Sequence, residues 1–163
     1  MHSKIIQIEK KPVRKEAYVE EDFFYGDGEA SLFIGDVADY VCEMEAEARE
    51  VAVKSFFEAL KKMPKAFEID EENECFIIKD KTKALESDYL AWKTAIENCA
   101  KWSLEEFVND TDLDFYQAKA NYADHFGLYV IQNGRYPAEW NNFVRSAKEG
   151  VCYYVGACLD YHF

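Results

Sequence analysis

The densest periodic pattern in the chain runs from Val37 to Met63. Apolar side chains fall at Val37, Tyr40, Val41, Met44, Ala48, Val51, Ala52, Phe56, Ala59, Leu60 and Met63, and the recurring steps of three and four residues trace one face of a helix. Asp36 can accept the first free amides, and Asp39 adds negative charge to the first turn. Lys61 and Lys62 sit where the helix dipole favours cations, and Pro64 stops the run. The spacing predicts the longest helix of the chain at about residues 37–63. Its back is acidic: Asp39, Glu43, Glu45, Glu47 and Glu50 meet only Arg49 before Lys54.

Around this stretch the pattern alternates between short apolar runs and helical stripes. Residues 4–9 (KIIQIE) read as a strand. Ala17–Tyr25 and Ala30–Ile34 flank Gly26-Asp27-Gly28 as a hairpin, and Ala66–Ile69 with Cys75–Lys79 form a second one with an acidic tip. Leu85, Tyr89, Trp92, Ile96, Cys99 and Trp102 mark a second helix, expected to pack on the first. Ser103 and Glu106 have capping-box spacing before Phe107 and Val108, and Thr111 with Asp114 repeats the device less perfectly. A helix over about 112–125 ends at Gly127, a strand over 128–132 ends in an Asn133-Gly134 turn, and a helix from Pro137 closes at Gly150. Val151–Leu159 is nearly continuous in apolar content, as an interior strand with both faces covered should be. Segregated hairpins and helices predict an α+β fold: a single domain over 1–163, with a mixed or antiparallel sheet packed by three to four helices.

Composition adds a core and a charge. Hydrophobic residues make up 49% and aromatics 16% of the 163 residues, which removes the chain from the disordered class. The 11 Tyr exceed what a core selects, since each buried phenol needs a partner, so some are expected at an interface, a homo-oligomeric one included. A net charge of −13 repels phosphate backbones and anionic lipid surfaces, which argues against direct nucleic-acid and membrane binding. The five cysteines (Cys42, Cys75, Cys99, Cys152, Cys158) contain no CxxC pair and fall mostly at apolar positions. They read as reduced core thiols. The N-terminus lacks the apolar run of a signal peptide and no stretch is long enough to span a bilayer, so a cytoplasmic protein is expected.

Candidate chemistry is sparse. Asp110-x-Asp112-x-Asp114 starts like a calcium loop, but Phe115 stands where glycine is needed and Asn121 where the bidentate carboxylate is needed. His2, His125 and His162 lie at no zinc spacing from the cysteines, and His162 falls in the terminal tail. There is no GxSxG elbow and no phosphate-binding glycine pattern. No metal or cofactor is implied, and the residues favour a non-enzymatic protein. A small enzyme or ligand-binding domain would draw on His125, Tyr153 or Tyr154 beside an aromatic pocket.

What remains is the acidity. From Glu20 to Glu50 there are 11 acids and one base, and acids cluster again at 68–74 and 105–114. Carboxylates one helical turn apart rise about 6 Å along the axis, close to the roughly 7 Å between successive phosphates of a DNA strand. In size and acidity the chain resembles antirestriction and anti-CRISPR proteins; the likeness is one of composition and carries no residue roles. It implies an inhibitor or DNA-mimic-type decoy that engages a basic nucleic-acid-binding protein. Asp22, Asp27, Glu43, Glu47 and Glu50 are the expected partner-binding residues.

Overall fold

The computed structural model describes residues 1–109 and 113–163. In chain order its elements are β1 (His2–Glu9), three 3-10 turns (Lys15–Ala17, Glu21–Phe24, Glu29–Leu32), α1 (Phe33–Asp36), β2 (Tyr40–Glu43), α2 (Ala46–Lys61), β3 (Phe67–Asp70) and β4 (Cys75–Ile78). There follow α3 (Lys81–Cys99), α4 (Leu104–Val108), α5 (Leu113–Tyr122), β5 (Tyr129–Ile131), β6 (Ala138–Glu139), α6 (Trp140–Ser146) and β7 (Cys152–His162). Among the described residues the strands form one seven-stranded sheet in the order β3-β4-β7-β1-β5-β6, with β2 also on β7. The β1–β5 pair is parallel and the others antiparallel, so the sheet is mixed and the fold is α+β.

As its apolar run predicts, β7 lies inside the sheet. Tyr153, Val155 and Cys158 face a core made with Ala52, Val53, Phe56, Phe57 and Leu60 of α2 and with Phe143 and Val144 of α6. Ala157, Leu159 and Tyr161 face the opposite core, with Phe24, Phe33, Val37 and Val41. Val155 and Cys158, three residues apart, share a face because of a bulge: Ile8 pairs with Val155 and Ile6 with Cys158, so three steps on β7 oppose two on β1. Gly156 sits at this bulge because a Cβ there would lie 2.6 Å from Gln7 Oε1. The buried Gln7 amide accepts from the Val19 and Ala157 N–H groups and donates to the Ala17 carbonyl.

One edge of β7 is shared by two short strands, β4 at residues 152–154 and β2 at 159–162. The gap between them is filled by side chains and by a turn. Arg49 Nε donates to the Gly156 carbonyl at 2.9 Å, and the Val155 N–H donates to the Glu74 carbonyl at 2.9 Å. The Arg49 guanidinium then forks onto the Glu74 carboxylate at 3.1 and 2.6 Å and lies 5.0 Å from the centre of the Tyr18 ring. Glu74 adopts φ +46°, a conformation unusual for a side-chain-bearing residue, and these contacts hold it there.

Several expectations are corrected. The helix predicted at about 37–63 starts only at Ala46, and α3, with 19 residues against 16 in α2, is longer. Residues 40–43 are strand because β7 offers a free edge there, and Val37 and Val41 bury on the face of the sheet opposite α2. Tertiary pairing overrides a local pattern of the right period. The hairpin predicted at 17–34 is replaced by 3-10 turns and the start of α1, whose Phe24, Ala30 and Phe33 pack inward. α3 packs chiefly on α5 and less on α6, and its Ala84 and Leu85 reach the core that α2 helps to form. His162 is no loose tail but the last residue of β7, paired with His2 and Tyr40. The 66–79 hairpin, the Ser103/Glu106 capping box and the left-handed Asn133-Gly134 turn match their predictions.

Candidate functional site

The predicted acidic surface is assembled by an unusual edge on β2. On the side of β2 away from β7, the Tyr25 hydroxyl accepts from the Val41 N–H and donates to the Val41 carbonyl, at 3.0 and 2.9 Å. Next to it, Glu21 and Glu43 exchange bonds: each backbone N–H donates to the other's carboxylate, at 3.2 and 3.3 Å. Side chains thus satisfy an edge that a further strand would otherwise occupy. This exchange ties Glu21, the residue before the exposed Asp22, to Glu43. From Glu43 the chain turns through Glu45 into α2, where Glu47 and Glu50 lie one turn apart and exposed. Asp27 is exposed on the Gly26–Gly28 turn, outside these hydrogen bonds.

The charges of this ridge are not spent internally. Seven acids elsewhere have a lysine, arginine or histidine partner: Glu74 with Arg49, Glu58 and Glu71 with Lys61, Glu86 with Lys83, Glu97 with Lys93, Asp160 with His2 and Asp39 with His162. Among the described residues Asp22, Asp27, Glu43, Glu47 and Glu50 have no basic group within 4.0 Å. Arg49, the one base in this stretch of sequence, is turned inward onto Glu74 and Gly156. None of these five carboxylates is paired, and the next base along α2 is the exposed Lys54, one turn beyond Glu50. At its strand end the His162 ring stacks on Tyr40 at 5.4 Å and meets His2 edge-on at 5.0 Å, two histidines that sequence spacing did not bring together.

Comparison with protein families, with curated proteins and with solved structures finds no match.

The residues expected of an enzyme are dispersed. Tyr153 is buried, and its hydroxyl accepts from the Lys148 N–H at 2.7 Å, a core role. Tyr154 lies across the sheet from it, with Cys75, Cys152, Glu68 and Asp70 around a cleft of about 200 Å³. The His125 carbonyl accepts from the Tyr129 hydroxyl at 2.7 Å, and the ring is exposed. Burial pushes Cys158 up to about 11, Cys75 up to about 12 and Tyr161 up to about 12, so these groups are desolvated and not activated. None of the five cysteines is in a disulfide. No group of three or more His, Cys, Asp or Glu among the described residues is arranged to hold a metal. Asp110 and Asp112 of the calcium-like pattern lie outside the described residues. A cleft of about 270 Å³ between α3, α5 and α6 is lined by Leu85, Tyr89, Trp92 and Tyr122, but Arg145 there is already bonded to the Tyr122 carbonyl and Asn142. Among the described residues no helix is long and apolar enough to cross a membrane.

Proposed function

We propose that this protein is a non-enzymatic interaction module, an inhibitor or DNA-mimic-type decoy that offers carboxylates to the basic groove of a nucleic-acid-binding protein in the cytoplasm. The observation that carries the reading is the ridge: Asp22, Asp27, Glu43, Glu47 and Glu50 are exposed and lack basic partners, and the Glu21–Glu43 exchange fixes part of it to the sheet. Fixed acids need less ordering on binding than mobile ones, so a built ridge suits recognition better than a solvated tail. Such an association steers the encounter electrostatically and weakens steeply with salt, because charges at a rim are screened over about 8–10 Å.

The test is affinity capture from the native cell extract by the wild type and by the combined Glu43→Lys, Glu47→Lys, Glu50→Lys variant, at low and at high salt. The reading expects a basic partner that the wild type holds at low salt and releases at high salt, and that the variant does not hold. Equal capture by both proteins refutes it.

A further inference from the structure

The cleft between α3, α5 and α6 holds one carboxylate and one guanidinium that do not pair with each other. On α3, Leu85, Asp88, Tyr89 and Trp92 stand at i, i+3, i+4 and i+7, one face of the helix. With Tyr122 at the end of α5 and Arg145 in the last turn of α6 they line a space of about 270 Å³. The Tyr89 and Trp92 rings lie 6.1 Å apart, centre to centre, and are inclined at 31°.

Neutral groups hold both charges in place. The side-chain amide of buried Asn141 donates to Asp88 Oδ2 at 2.9 Å. Arg145 donates from Nη1 to Asn142 Oδ1 at 2.8 Å and from Nη2 to the Tyr122 carbonyl, and its guanidinium lies 4.1 Å from the centre of the Tyr122 ring. Among the described residues no base stands within 4.0 Å of Asp88 and no acid within 4.0 Å of Arg145. Both residues are half-buried, so each is partly stripped of water with no opposite charge to offset the loss. Arg49, the other half-buried arginine, has Glu74 for that purpose.

The lining selects the ligand. A purely apolar solute would leave both charges desolvated and unpaired, a simple anion would meet Asp88, and a simple cation would meet Arg145. A zwitterion pairs with both. We propose that this cleft binds a free aromatic α-amino acid, with its ammonium on Asp88, its carboxylate on Arg145 and its ring against Tyr89, Trp92 and Tyr122. The carboxylate takes charge-assisted bonds from guanidinium N–H groups not engaged with Asn142 and Tyr122, and the ring gains offset and edge-on contacts with the aromatic walls. The space is near the lower end of the roughly 300–1,000 Å³ usual for ligand pockets, which suits a ligand as small as one amino acid. The proposal does not rest on the ridge formed by Asp22, Asp27, Glu43, Glu47 and Glu50, which lies on other elements.

The probes are L-phenylalanine, 3-phenylpropionate, which lacks the ammonium, and phenethylamine, which lacks the carboxylate. Each is titrated into the full chain by calorimetry and by tryptophan emission, to which Trp92 contributes. L-Phenylalanine saturates the protein, and each analogue binds about tenfold or more weakly, the loss expected for one charge-assisted contact. Asp88→Asn keeps an acceptor for Asn141 and removes the charge, so it weakens phenylalanine about tenfold or more and does not weaken phenylpropionate. Arg145→Met weakens phenylalanine to the same degree and does not weaken phenethylamine. In each variant the retained binding of the matching analogue shows that the walls of the cleft are intact. An analogue that binds as tightly as phenylalanine overturns the proposal. So does an Asp88→Asn variant that loses phenylpropionate as fully as phenylalanine, and so does the absence of saturable phenylalanine binding in the wild type.

Discussion

Replacing Arg49 by Met tests whether a side chain really completes the sheet edge between β4 and β2. Met keeps an apolar stem of similar reach and removes every donor. The Gly156 carbonyl then loses a bond from a charged donor, about 1.5–3 kcal/mol by the usual cost of such bonds. The Glu74 half of the ion pair has a side chain 38% exposed, so water takes over much of it and about 1 kcal/mol is appropriate. Loss of the guanidinium over Tyr18 adds about 0.5 kcal/mol. Burial works against the charge of Arg49, and its bonds to Glu74 outweigh that, holding its pKa above the ordinary value, which agrees with a pair that is net favourable. The expected loss is about 3–4.5 kcal/mol, a large share of the roughly 5–15 kcal/mol available to a domain. For a chain of this size that corresponds to a fall in melting temperature of about 6–18 °C. Thermal and urea unfolding followed by circular dichroism at 222 nm read it directly. Glu74→Gln should cost about 1 kcal/mol, and Arg49→Lys should fall between, because an ammonium cannot fork onto a carboxylate and a carbonyl together. If Arg49→Met lies within about 0.5 kcal/mol of the wild type, the claim that Arg49 completes the edge is wrong.

Other outcomes are as definite. Gly156→Ala should destabilise by about 1–3 kcal/mol through its clash with Gln7, seen as a lowered urea midpoint, and an unchanged midpoint would contradict the packing of the bulge. Stability should hold from neutral pH to about 8.5 and then fall as the pH rises toward 11–12. Cys158, Cys75 and Tyr161 have folded pKa values above their unfolded ones, so their contribution is complete below the unfolded pKa and is lost through the folded values; a midpoint that stays flat to pH 11 would refute this. The same burial makes Cys75 and Cys158 slow to react with a thiol reagent at pH 8 until urea is added, which mass mapping of the labelled cysteines checks. Ser103→Ala should speed amide exchange across α4, by about 1 kcal/mol in local stability, and leave the sheet amides unchanged.

How much of this the sequence revealed depended on how local the deciding interaction was. The Ser103/Glu106 cap, the Asn133-Gly134 turn and the 66–79 hairpin are settled within a few residues and were legible. β7 was legible because an interior strand needs apolar residues on both faces. Residues 40–43 were not, because Val37, Tyr40, Val41 and Met44 fit a helical stripe, and only the open edge of β7, far along the chain, makes them a strand. The α3 stripe was read correctly as helical, but its main neighbour α5 was not foreseen, since periodicity gives a face and not a partner. Facing chiefly α5, it leaves Tyr89 and Ile96 exposed. In the ridge, the acidity was plain and the exposure of all five carboxylates followed from it. The joining of the Glu21 turn to Glu43 was hidden, because it depends on bonds exchanged across the edge of β2. Arg49 stood out in sequence as the lone base among acids; its role lies opposite Gly156, 107 positions away.

The central claim, that the ridge is a carboxylate surface for a basic partner, is tested most directly by the salt dependence of that partner's dissociation constant. With the partner captured at low salt, titrations from about 50 to 500 mM salt should show affinity falling steeply for the wild type. The Glu43→Lys, Glu47→Lys, Glu50→Lys variant should bind far more weakly, with a flat or inverted salt response, while its stability falls only by the lost bond from the Glu21 N–H to Glu43, about 1 kcal/mol. A wild-type affinity that does not change with salt, or a variant that binds as the wild type does, would contradict the account.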